Sequence, residues 1–267
     1  MLAMECQPIE VIPNIYMFPE QHLRIGGFRA NCYCLHLKDH YVVIDPSLQL
    51  SEEGEPILPA FPNLVASQVS SLVATHGHYD HLVGLNGWRE QTEAPFIFPL
   101  PEKDLLFDPD ANASIMLYKA QTYAEAECYY DDLDEITLDK QYILLSCHTP
   151  GHTHGSMCLF LLDTNQPGMD LTDNSTDALA KLTPRAKSLV EKMASRGKIV
   201  AVFSGDTVFA RTIGRTDLVV GSMAEMTQSL QLLKQIFHVI PEDTVILPGH
   251  GEPTTVKAIV RENFYLF

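Results

Sequence analysis

The sequence predicts an α/β fold. Short, apolar, β-prone runs alternate with segments of helical periodicity, and several of those runs stop at turns that set Gly beside His or Asp. With 267 residues the chain is long enough for one large domain with its own core. We expect a single domain over residues 1–267, with an insertion at about 164–198.

Taken in order, Ile9 to Phe18, Phe28 to Leu37 and Tyr41 to Ile44 read as three successive strands, a meander ending at Asp45-Pro46. A connector with Pro56, Pro59 and Pro62 follows, then a helix over Val65 to Ser71 feeding a buried strand, Ser71 to Ala74. Leu82, Leu85 and Trp88 recur at helical spacing between Asp80 and Gln91, and Pro95 to Phe98 is again a short strand. Residues 101–127 read as mostly helical. Gln141 to Cys147 and Ser156 to Leu162 are β-runs on either side of a Gly- and His-bearing loop. In the insertion, Thr183 caps a helix with Pro184 at its first position and Gly197 beyond its end, and its apolar face is expected to pack locally. Ile199 to Phe203 and Thr244 to Leu247 are buried strands, separated by an amphipathic helix from Met223 to Phe237.

Composition narrows the function. Apolar residues make up 46% and charged residues 19%, an ordinary globular balance. The net charge of −16 repels phosphate backbones and anionic lipid surfaces, so neither nucleic acid nor a membrane is an expected partner. No export signal or apolar span is read in the chain, and the scattered cysteines (Cys6, Cys32, Cys34, Cys128, Cys147, Cys158) are read as reduced, which together suggest a cytoplasmic protein. The 11 histidines are the first sign of chemistry.

Four strand ends deliver His76, His78, Asp80 and His81; His152; Asp206; and His250, each in or before a Gly-containing turn. Imidazole and carboxylate are ligands for Zn²⁺, Fe²⁺ and Mn²⁺, and five His with two Asp exceed what one ion uses. Two divalent ions are expected, zinc first, with iron or manganese as alternatives.

Thr75-His76-Gly77-His78-Tyr79-Asp80-His81, Thr149-Pro150-Gly151-His152, Ser204-Gly205-Asp206-Thr207-Val208-Phe209 and Pro248-Gly249-His250-Gly251 together resemble the metallo-β-lactamase superfamily. Ala30-Asn31-Cys32-Tyr33 and Val43-Ile44-Asp45-Pro46 extend that resemblance. It implies an αββα sandwich, two mixed sheets packed face to face with helices outside. It also implies that His76, His78 and His152 hold one metal, that Asp80, His81 and His250 hold the other, and that Asp206 bridges them, Asp80 and Asp206 being catalytic. A hydroxide between the ions would attack the substrate carbonyl.

Gly205 to Phe209 and Ile213-Gly214-Arg215-Thr216-Asp217 look like the glyoxalase II-like branch, which implies hydrolysis of a small acyl thioester or ester. A mononuclear Fe²⁺ persulfide dioxygenase using His76, His152 and Asp206 is the main alternative. A lactonase is less favoured, because Phe209 stands where that group carries Tyr. Leu82-Val83-Gly84 and Leu218-Val219-Val220-Gly221 depart from the branch's glycine-richer turns, which bears on loop shape and substrate preference. After His250 there is room for one short helix with Lys257 and Arg261, so no glutathione clamp is expected. Arg215 and Asp217 read as a buried ion pair holding their loop, and His154 as a solvent-facing or outer-sphere imidazole. Tyr79 reads equally as a packing residue or a hydrogen-bond donor to the reacting group. Oligomeric state is left open.

Overall fold

The computed structural model describes residues 8–19, 29–48, 65–117, 119–169 and 179–266. They form two mixed β-sheets flanked by helices, the fold class the sequence predicts. The chain divides into two compact units, Met1–Tyr129 with Gly249–Gly251, and Tyr130–Pro248 with Glu252–Phe267. Cys6, Phe28, the proline connector and residues 170–178 of the expected insertion lie outside the described residues.

In the first unit the sheet runs in chain order: β1 (Ile9–Ile12), β2 (Ile15–Phe18), β3 (Cys32–Leu37), β4 (His40–Ile44), β5 (Val69–Val73), β6 (Phe96–Pro99) and β7 (Cys128–Tyr130). The first expected strand is a hairpin instead, turned at Pro13-Asn14, with Asn14 at φ 67, a conformation Asn tolerates better than most residues. The antiparallel meander holds through β4, after which β4, β5 and β6 pair in parallel. The expected helix before β5 is only a 3₁₀ turn, Ala66–Gln68, because the strand itself begins at Val69.

Helix α1 (Tyr79–Leu82) and helix α2 (Leu85–Thr92) replace the single helix expected there. The break falls at Val83-Gly84, where the Gly84 N–H donates to the Pro46 carbonyl. A Cβ on Gly84 would lie 2.2 Å from the Leu48 carbonyl oxygen, so only glycine permits this approach. Leu82, Leu85 and Trp88 bury against Cys32, Cys34, Val43, Phe96 and Phe98, which gives this unit its own core.

Residues 101–127 are not mostly helical. Among the described residues they hold part of a 3₁₀ turn, Leu100–Leu106, and one short helix, α3 (Ser114–Leu117). Side chains compete for the backbone there: the Asp108 carboxylate accepts the N–H groups of Asp110 and Ala111, and the Asn112 amide donates to the carbonyls of Leu105 and Gln121.

The second sheet has the order β13 (Thr254–Thr255), β12 (Val245–Pro248), β11 (Lys198–Gly205), β10 (Met157–Asp163), β9 (Tyr142–His148), β8 (Glu135–Thr137). Only β11 and β12 pair in parallel among the described strands of this sheet. Helix α4 (Pro184–Arg196) starts as expected, with the Thr183 hydroxyl accepting the Ala186 N–H and Pro184 at the first position. Its Ala186, Leu189, Val190 and Met193 pack locally with Ile143, Leu145, Phe160 and Leu162 of the sheet. Lys192 and Arg196 reach Glu135 at 3.4 and 2.7 Å, which ties the helix to the β8 edge. Helix α5 (Met223–Phe237), capped by Ser222, adds Met226, Leu230 and Leu233 to the same core. Helix α6 (Val256–Glu262) is the short helix carrying Lys257 and Arg261.

Candidate metal centre

In the first unit the site begins at the C-terminal end of β5. The strand gives way to Thr75-His76-Gly77-His78 and then to α1, which carries Asp80 and His81; all four candidate ligands are buried. Three neighbours fix this turn. Asp45, at the end of the parallel strand β4, accepts the Thr75 N–H at 2.7 Å and the Thr75 hydroxyl at 3.0 Å. The buried Glu102 carboxylate accepts the Gly77 N–H at 2.8 Å, and the Asn112 carbonyl accepts the Tyr79 N–H at 2.8 Å, where α1 starts. Tyr79 itself packs into the core of this unit.

Ring geometry brings these imidazoles together. The His76 centroid lies 5.0 Å from that of His78 and 4.1 Å from that of His81, and the His81 ring lies 5.6 Å from His250. His250 Nε2 is 3.1 Å from Asp80 Oδ2. Asp80, His81 and His250 each present a ligand atom, all within 4.8 Å of one another.

In the second unit His152 sits in the turn between β9 and β10, and Asp206 follows β11. Thr149 and Thr207 join the two turns through their hydroxyls at 2.9 Å. His152 Nδ1 is 2.8 Å from the Arg215 carbonyl oxygen, and its Nε2 is 3.4 Å from Asp206 Oδ2. The loop that brings in this carbonyl depends on Gly214, whose Cβ would fall 1.9 Å from the Asp206 carbonyl oxygen and 3.1 Å from His152 Nδ1.

The donor chemistry suits divalent cations. A carbonyl oxygen only accepts, so His152 Nδ1 carries the ring proton, and in the neutral ring Nε2 is the lone-pair nitrogen. That nitrogen faces a carboxylate oxygen in a site where His152 is 4% and Asp206 6% exposed, so two electron-pair donors converge and call for a cation. His81 repeats the arrangement: its Nδ1 is 2.9 Å from Asp45 Oδ2, which orients Nε2 as the ligating atom. A His/Asp set without cysteine fits Zn²⁺, Fe²⁺ or Mn²⁺.

One expectation changes in detail. The Arg215–Asp217 pair forms, at 2.7 Å, but it is exposed, with side chains 55% and 70% accessible, because only the backbone of that loop turns inward. His154 is half-buried, and its carbonyl accepts from the His148 ring. Asp45, Glu102 and the Arg215 carbonyl did not figure among the candidate site residues. Asp45 had a signal, a lone carboxylate ending the apolar run Val42-Val43-Ile44, whereas Glu102 had none in its local sequence.

The comparisons agree with the fold. A family model described as the metallo-beta-lactamase superfamily matches residues 25–165. "Probable metallo-hydrolase YqgX" of Bacillus subtilis (strain 168) is 26% identical over 246 residues, covering 92% of this chain and 96% of that protein. "Uncharacterized protein Rv2581c" of Mycobacterium tuberculosis is 29% identical over 257 residues, covering 90% and 94%. Among solved structures, BLEG-1 B3 metallo-beta-lactamase superposes with a TM-score of 0.65 at 23% identity, covering 89% of this chain and 94% of that one. TTHA1623 in a di-iron-bound form gives 0.58 at 21% identity, covering 89% and 95%. With more than half of its length inside the family model, and with strand ends that carry His and Asp donors, this chain belongs to the metallo-β-lactamase superfamily.

Proposed function

We propose that the chain is a dinuclear metal-dependent hydrolase of acyl thioesters or esters, with both units acting as one hydrolase domain. In this reading His76, His78 and His152 would hold one cation and Asp80, His81 and His250 the other, with Asp206 shared between them. The observation that carries it is the Asp80–His81–His250 set, three donors within 4.8 Å that a mononuclear centre built on His76, His152 and Asp206 would leave unused. The di-iron form of TTHA1623 supports a two-metal count and keeps iron beside zinc and manganese as the native ion. When bound there, divalent cations would lower the pKa of water from about 15.7 towards about 7 and polarise a carbonyl for attack.

The chain's own residues do the rest. Asp45 and the Arg215 carbonyl hold His81 and His152 in the tautomer that offers Nε2. The Asp80 carboxylate, buried beside His250 Nε2, holds the proton released by the attacking water. The resemblance of Gly205 to Phe209 and of Ile213 to Asp217 to the glyoxalase II-like branch supports a thioester or ester as substrate. A cytoplasmic location belongs to the same proposal, supported by the free thiols of Cys34, Cys128, Cys147 and Cys158.

The test is turnover of a panel of acyl thioesters and esters by metal-loaded protein. Hydrolysis that disappears with the metal in Asp206→Ala supports the proposal. No turnover, with Asp206→Ala keeping its full metal content, contradicts it, and oxygen uptake with a persulfide at one iron per chain would assign the dioxygenase reading instead.

A further inference from the structure

His250 lies between two glycines, Gly249 and Gly251, the latter at φ 77, a left-handed conformation that glycine adopts without strain. Its orientation is imposed from the other end of the chain. Asn31, fully buried just before β3, donates its backbone N–H to the Gly249 carbonyl at 2.7 Å and its Nδ2 to the Gly251 carbonyl at 2.9 Å. Asn31 therefore holds the carbonyl of the residue before His250 and that of the residue after it. The same strand end also reaches α1, because the Ala30 N–H donates to the Asp80 carbonyl at 3.1 Å. The Ser47 hydroxyl in turn holds the Ala30 carbonyl at 2.7 Å. Ala30 and Asn31 thus form a clasp between Asp80 and His250, which are 170 residues apart in sequence and 3.1 Å apart at Oδ2 and Nε2.

We propose that Asn31 is a positioning residue that controls occupancy of the second metal position, the one assigned to Asp80, His81 and His250. The inference rests on the dinuclear reading above. The reason is geometric: two carbonyls flanking one ligand need two donors at a fixed spacing, and the Asn backbone and amide supply both. Asp at this position keeps the shape but turns the Nδ2 donor into an acceptor facing the Gly251 carbonyl. Ser keeps a donor on a shorter arm. The turn carrying His76 and His78 is held by Asp45 and Glu102 instead, so the first position is spared.

The experiment is a Co²⁺ titration of the metal-free protein followed by absorption, with His250→Ala marking complete loss of the second position and thermal melts of each metal-free variant checking the fold. Wild type is expected to take two equivalents. Asn31→Asp is expected to take the first as wild type does and to bind the second about 10–100-fold more weakly, with Asn31→Ser regaining part of the difference. Asn31→Asp titrating as wild type, or weakening both equivalents alike, overturns the inference. If Asn31→Asp does not fold, Asn31→Ser decides: selective weakening of the second equivalent supports the clasp, and an unchanged titration overturns it. A wild type that takes fewer than two equivalents is a different failure, because it contradicts the dinuclear reading itself.

Discussion

Asp45, just past the end of β4, and His81, on helix α1, meet with the carboxylate 2.9 Å from the imidazole Nδ1. Both are buried, so the contact fixes which ring nitrogen carries the proton. Asp45 sits at φ 51, a left-handed conformation that Asn also adopts, so Asp45→Asn preserves the backbone. The amide presents N–H groups to Nδ1, which moves the ring proton to Nε2 and removes the ligating lone pair. Metal affinity is expected to fall about 10–100-fold. Isothermal titration with Zn²⁺ checks this, and wild-type affinity in the variant would show that Asp45 only braces Thr75.

Gly214→Ala tests the loop that orients His152. The added methyl collides with the Asp206 carbonyl, and relief requires the loop to withdraw the Arg215 carbonyl from Nδ1. A destabilisation of about 1–3 kcal/mol is expected from the overpacking alone. Urea unfolding measures it, and imidazole ¹⁵N shifts report whether His152 has changed tautomer. Unchanged shifts would mean that another group holds the ring.

Arg215→Ala separates side chain from backbone at the same residue. The guanidinium pairs with Asp217 in solvent, whereas the carbonyl does the orienting, so metal content and stability are expected to stay at wild-type values. Activity lost with metal content intact would assign the guanidinium to substrate.

The cysteines give a prediction in pH. Burial pushes the Cys158 thiol up to about 11 from an ordinary 9.0, and burial also raises Cys147, its cross-strand neighbour, and Cys34. At pH 8 only about one in a thousand of a thiol with that pKa is ionised. In native protein Cys128, exposed, is expected to react with a disulfide reagent while Cys32, Cys34, Cys147 and Cys158 stay protected until unfolding. The unfolded chain releases the Cys158 proton near 9.0 and the folded one near 11, so this contribution to stability is full below about 9 and is lost as pH rises towards 11. Urea midpoints at pH 7 and above should fall across that window, and a flat profile would contradict the burial argument.

Local chemistry made much of this architecture readable in the sequence. The cap of α4 follows from Thr183, Pro184 and nothing beyond the helix, and the ligand turns follow from apolar runs that stop at Gly beside His. What depends on pairing between distant segments was not readable. Asp45 reaches His81 only because β4 and β5 pair in parallel, and Asn31 reaches the His250 turn across more than two hundred residues. The apolar content of residues 101–127 suits a helix, but Asp108, Asn112 and Ser114 use their side chains on backbone groups that a helix would need. The β1–β2 hairpin was missed because Pro13-Asn14 interrupts an otherwise continuous β-prone run.

Five imidazoles and two carboxylates are proposed to act on a pair of cations. Anomalous diffraction from crystals of protein purified without added metal, recorded at the zinc, iron and manganese edges, tests this most directly. The expected result is two peaks per chain, one bounded by His76, His78 and His152 and the other by Asp80, His81 and His250, with Asp206 touching both. A single peak with Asp80 and His250 turned away from it, or none in crystals soaked with Zn²⁺, would contradict the account.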